Sequence, residues 1–366
     1  MNCVRKLNLA FCIVLAACTP RPLPAAATPE KAPPMEKPSS LLPAENPFSH
    51  ASALPYHLPP FDKIKDADFA PAFNAGMASQ RQEIQAIVNE PAPPTFDNTV
   101  VAMDRSGQLL ARVAKVFFNL NAANSNPVLQ KLESEMAPRL VGHRDRTLLD
   151  PALFARVDAL YKQRDKLGLD PESSQLLLRY QKMFELAGAR LPAADKVKLK
   201  KLNEELSSLT TRFRQTVLKA TKEGALVIDD VKELDGLSPE HIGAAAQAAK
   251  ARGLAGKWVI TLQNTTIQPA LVQMKNRAVR ERVFKASVAR GVGGDNDTTG
   301  IVAKIIVLRT KKAALLGFSE YAALSLAEQT AATPAAVNKL LGELAPAALA
   351  KAKQEAREIQ RQIDAE

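Results

Sequence analysis

Apolar residues recur every three or four positions along most of this chain, and that spacing confines it to a largely helical body. Between Pro192 and Lys222, the residues Leu202, Leu206, Leu209, Phe213 and Val217 mark one face of the longest early helix, a stripe that must pack on other helices. From Pro71 onward Phe73, Met77, Ile84 and Ile87 keep the same period until the run Pro91-Ala-Pro-Pro closes it. Phe96-Asp-Asn-Thr99 offers N-cap candidates for a helix to about Asn121, with Val100, Met103, Leu110, Val113 and Phe117 inward. Asp150-Pro151 and Asp170-Pro171 each set a capping aspartate before a proline at the first helical position, opening helices of roughly 15 to 20 residues. From Thr333-Pro334 a stripe of Val337, Leu340, Leu341, Leu344, Ala348, Ile359 and Ile363 runs to the last residue without a stop signal, the pattern of a chain cut within a domain.

Only two segments, Gly224–Asp229 and Lys257–Leu262, are short and β-branched enough to be strands. They flank a helix from about Ser238 to Arg252, opened by Ser-Pro-Glu and closed at Gly253. The fold class is therefore mainly α, with a small two-stranded β ribbon.

The N-terminus belongs to no fold. Residues 1–17 carry Arg5 and Lys6, then an apolar run from Leu7 to Ala17 that is about half the ~20 residues needed to span a membrane. Such a segment is an export signal. It ends in Leu15-Ala16-Ala17-Cys18, which resembles the lipobox of bacterial lipoproteins. By that resemblance Cys18 is the lipid-attachment residue and the mature N-terminus; the competing reading is an ordinary secretory signal with a chance cysteine. The expected location is the cell envelope, facing the periplasm. Thr19 follows in place of an aspartate that would resemble an inner-membrane retention signal, which makes the outer membrane plausible. Residues 18–45 form a tether: nine of the chain's 25 prolines fall between Thr19 and Pro47. A segment of this kind favours extended polyproline II and reaches roughly 80 Å at ~3.1 Å per residue.

All three cysteines, Cys3, Cys12 and Cys18, lie in the signal or at its cleavage point, so the mature chain has no thiolate ligand and no disulfide. The net charge of +11 falls to +9 once Arg5 and Lys6 are removed. The remaining cations are dispersed, and the densest group, Lys196, Lys198, Lys200 and Lys201, has no interleaved aromatic side chains. Nucleic acid is therefore not an expected partner. The four histidines, His50, His57, His143 and His241, are nowhere closer than seven positions. A zinc peptidase of the HExxH kind needs two imidazoles one helical turn apart, so neither a metal site nor a catalytic residue is assigned. Asp295 to Gly300 begins like a calcium loop, but Ile306 stands where the bidentate glutamate belongs. It is read as a turn, with Asn296 or Asp297 capping the next helix. His241 is expected to be exposed, and His143 to close its helix.

Several stretches together resemble one family. Asn46-Pro-Phe, Leu54-Pro-Tyr, Pro60-Phe-Asp-Lys-Ile and Phe69-Ala-Pro-Ala-Phe are similar to the opening of bacterial peptidyl-dipeptidases (dipeptidyl carboxypeptidases), a branch of the thimet-oligopeptidase family of zinc metallopeptidases. Ala194-Asp-Lys-Val-Lys-Leu, Trp258 to Leu262, Gln268-Pro-Ala-Leu, Arg277-Ala, Leu315-Leu-Gly-Phe and Tyr321-Ala continue the series. The resemblance covers residues 46–366 and about half of a family member, its N-terminal half. It implies a clam-shaped, zincin-type helical shell over 46–224 and the opening part of the catalytic region over 225–366, truncated before the HExxH motif. It implies a metallopeptidase that releases C-terminal dipeptides from short peptides, with zinc as the cofactor of the full-length family and none held by this chain. Alone, such a chain is expected to be inactive unless a separate polypeptide carries the missing half. The alternative is a non-catalytic periplasmic lipoprotein that binds peptides or a partner through the helical shell.

Overall fold

In a computed structural model, residues 41–365 are described; the export signal, Cys18 and most of the tether lie outside them. Leu42, inside the stretch read as tether, is buried together with Phe48 against the first helices.

The first helix, α1 (Asp66–Val88), starts five residues before the expected Pro71. The Asp68 carboxylate accepts the Lys65 N–H at 2.7 Å, which caps the chain a turn earlier and leaves Pro71 inside the helix. The segment after Thr95 departs further from its sequence pattern. Thr95 and Asn98 form a reciprocal cap, and what reads as one helix is a π-helical turn (Phe96–Val101), a short α2 (Ala102–Arg105) and α3 (Gln108–Ala123). The break falls at Gly107, in the left-handed region at φ 73°, where its N–H donates to the Glu83 carboxylate at 2.6 Å. A tertiary contact from α1 thus decides the kink. Of the residues expected inward, Val100, Met103, Val113 and Phe117 are buried and Leu110 is half-buried, and Phe117 meets Phe69 and Phe73 edge-on at 5.2 and 5.3 Å.

Next come α4 (Pro127–Leu148), α5 (Pro151–Lys162), α6 (Pro171–Ala187) and α7 (Ala193–Glu223). Asp150 accepts the Ala152 and Leu153 N–H groups and Asp170 those of Glu172 and Ser173, which is the capping device read from the Asp-Pro pairs. At 12 residues α5 is shorter than its sequence suggests, since the chain turns at Gln163. Helices α4 and α7 pack along each other. There Glu133, 5% exposed, accepts the Arg214 guanidinium at 2.7 Å and the Gln215 amide at 3.3 Å.

The ribbon pairs β1 (Leu226–Ile228) with β2 (Trp258–Ile260) in antiparallel register, Val227 opposite Val259. Between the strands lies α8 (Pro239–Lys250), and after them come α9 (Asn264–Gln273) and α10 (Arg277–Val288). Ile228, Ile260, Leu262, Val279 and Val283 close a core of their own here. The last helices are α11 (Thr299–Leu315), α12 (Tyr321–Leu326) and α13 (Pro334–Ala365). Asp297 accepts the Thr299 N–H at 2.9 Å, so the glycine-rich stretch is a turn and a cap. The architecture is mainly α with one two-stranded ribbon, as the sequence implies.

Two stripes differ from expectation. Leu202, Leu206, Leu209, Phe213 and Val217 on α7 are only half-buried, and of these Leu206 lines a cavity. On α13 no residue is buried at all.

Candidate functional site

Leu206 of the α7 stripe borders a cavity of about 530 Å³ walled by α3, α4, α6, α7, α11 and α12. Its hydrophobic wall includes Phe118, Leu140, Leu148, Met183 and Leu206. Its polar groups come from distant parts of the sequence: Arg144 and Asp145 from α4, Asn203 from α7, Arg309 and Lys312 from α11.

Asp145 is 6% exposed, and its one side-chain hydrogen bond among the described residues is from the Asn203 amide nitrogen at 2.8 Å. Burial pushes its carboxyl above the ordinary aspartate value, opposed by that bond and by the charges of Lys312, Arg144 and Lys200. Lys312 is its counterpart. Burial lowers its ammonium, while the charge of Asp145 holds it up. Yet no carboxylate among the described residues lies within ion-pairing distance of Lys312. The Asn203 carbonyl oxygen is buried without a donor among the described residues. On the rim Arg309 lies 4.9 Å over the Tyr321 ring, which fixes its guanidinium, and Glu328 stands exposed. A cleft with a buried carboxylate, an unneutralised ammonium and an orphaned acceptor has the signature of a binding site.

The histidines do not converge. His50 and His57 are exposed in the opening segment. His241 is half-buried, not exposed: its ring nitrogen sits 2.9 Å from the Ser238 hydroxyl that caps α8. His143 is buried, 5% exposed, and lies inside α4 a turn before its end. Its Nε2 donates to the Gln80 carbonyl at 2.7 Å, while burial, Arg81 and Arg146 depress its pKa.

None of this suits zinc. Among the described residues no three of His, Cys, Asp and Glu come together to hold a metal ion. The one buried imidazole faces two guanidinium groups, which would repel a dication. No described helix is long and apolar enough to cross a membrane.

Comparison with known proteins bears on most of the chain. Peptidase family M3 matches residues 270–366. Dipeptidyl carboxypeptidase of Escherichia coli (strain K12) is 45% identical over 314 residues, which are 86% of this chain and 46% of that protein. Dipeptidyl carboxypeptidase of Salmonella typhimurium is 46% identical over 316 residues, with the same two shares. Organellar oligopeptidase A of Arabidopsis thaliana is 29% identical over 291 residues, covering 78% of this chain and 37% of that one. The chain spans about half the length of the curated relatives it matches.

Proposed function

We propose that this chain, which belongs to peptidase family M3, supplies the helical shell and the first part of the catalytic region of a peptidyl-dipeptidase acting on short peptides. The observation that carries this reading is the 45% identity to a dipeptidyl carboxypeptidase over 86% of the chain. Residues 46–224 are the shell and residues 225–366 open the catalytic region; the family match, over 270–366, falls within the second part.

Peptidases of this family depend on zinc. The described residues do not fit that ion, so the zinc centre is assigned to sequence outside these 366 residues, on the same or another polypeptide. What these residues contribute is a wall: packed helices around a recess that takes an extended peptide and rejects a folded protein. The α13 face favours this assignment. Leu341, Leu344, Ile359 and Ile363 remain 56 to 60% exposed along one helix, a surface of the kind that packs on further helices. The envelope location and the lipid anchor at Cys18 belong to the same proposal and rest on the Leu15-Ala-Ala-Cys18 pattern.

The test is complementation. The chain is co-expressed with the HExxH-bearing remainder of the Escherichia coli relative, and products are identified by mass spectrometry from a peptide with a free or an amidated C-terminus. Release of the C-terminal dipeptide from the free peptide alone supports the reading. Cleavage at internal bonds of both peptides alike contradicts it.

A further inference from the structure

Asp145 and Lys312 carry opposite charges in the wall of one cavity, close enough to influence each other, yet they form no ion pair. Two such charges, each partly shielded from water, attract and come together unless the framework holds them apart. Here they are held by different helices, α4 and α11. The acidic side also has the Asn203 carbonyl oxygen, buried and without a donor, so the two acceptors together call for a group rich in N–H. Of the other cations in the lining, Arg214 is paired with Glu133, while Arg144 and the Tyr321-stacked Arg309 join Lys312 and the exposed Glu328 opposes them. The cavity therefore carries both acceptors that seek an ammonium and cations that seek a carboxylate.

The geometry points to a binding site for a free dipeptide in its zwitterionic form, its α-ammonium against Asp145 and Asn203 and its carboxylate against Lys312, Arg144 and Arg309. The apolar wall of Met183, Leu186, Leu206 and Leu148 receives the side chains. The choice of a dipeptide rests on the proposed release of C-terminal dipeptides; the selection for a zwitterion does not. A released dipeptide returning to this recess would bridge α4 of the shell and α11 of the catalytic region and so report product concentration from one to the other.

Calorimetric titration of the 366-residue protein with alanyl-alanine tests this without zinc or turnover. The expected dissociation constant is about 1 mM or below. N-acetyl-alanyl-alanine and alanyl-alanine amide should each bind at least about tenfold more weakly, having lost one charge. Lys312→Met should weaken alanyl-alanine by about tenfold and leave the amide unaffected, a split that general misfolding would not produce. Asp145→Asn should have the mirror effect, weakening alanyl-alanine while sparing the N-acetyl compound. Equal binding of free and blocked dipeptides, or no heat up to about 10 mM, overturns the site. Alanine binding as tightly as alanyl-alanine overturns the dipeptide assignment, and either failure leaves the peptidase reading standing.

Discussion

Charging the face of α13 separates its role in the described body from its role in a larger assembly. Leu341 and Leu344 are 56% and 58% exposed and Ile359 and Ile363 59% and 60%, so each keeps more than half its surface in water. Full burial of such a side chain stabilises by about 1.5–3 kcal/mol, so covering the exposed part adds roughly 1 kcal/mol for each residue and about 4 kcal/mol for the four. The double variant Leu341→Glu with Leu344→Glu removes about half of that and places two carboxylates in the contact. Urea unfolding of the isolated chain should then change by no more than about 0.5 kcal/mol, as for other surface substitutions. Capture of the HExxH-bearing remainder of the relative, followed by surface plasmon resonance, should weaken by at least about a hundredfold. A loss of more than about 1 kcal/mol in the isolated chain would show that α13 packs on the body after all. Undiminished capture would refute its role as a docking face.

Three further expectations rest on other parts of the molecule. Gly236 sits at φ 99° with space for a Cβ only 2.1 Å from the Gln273 carbonyl oxygen, so Gly236→Ala combines left-handed strain with a backbone clash. It should cost at least about 3 kcal/mol in chemical denaturation, and a cost under about 1 kcal/mol would mean that the ribbon region is free to shift. The pKa of His143 is lowered in the fold, so the unfolded chain takes up its proton first as pH falls. Its contribution is complete above about pH 6.5 and is lost as pH falls from there to the depressed native value, a slope that His143→Gln should remove; an unchanged slope in the variant defeats the assignment. Asp145, raised in the fold, acts with the opposite sign, its contribution lost as pH climbs above about 3.8. Finally, Cys18→Ser should abolish metabolic lipid labelling, and labelling that persists in the substituted protein rules out the anchor.

Features set by neighbouring residues are legible in the amino-acid order alone. Asp150-Pro151, Asp170-Pro171 and Ser238-Pro239 announce helix starts because cap and first turn are covalently adjacent. The ribbon is equally plain, two β-branched runs in a helical chain. The kink at Gly107 is not, since it depends on Glu83 from another helix. Nor is the cavity: Asp145, Asn203 and Lys312 meet only once α4, α7 and α11 have packed. The pattern of α4 does show one irregularity, which lies outside that cavity. Glu133 and His143 fall on the same helical face as Leu129, Leu132 and Met136, and polar groups at core-facing positions mark places where packing serves something besides stability. The half-exposed α7 stripe shows the converse, because apolar periodicity identifies a covered face without saying whether side chains or a recess cover it.

Metal analysis of the purified 366-residue polypeptide, run beside a dipeptide-release assay with and without chelator, goes to the centre of this account. It should show no stoichiometric zinc and no turnover until the HExxH-bearing half is added, after which release appears and the chelator stops it. Chelator-sensitive release by the polypeptide on its own would contradict the assignment of the zinc centre to sequence beyond it.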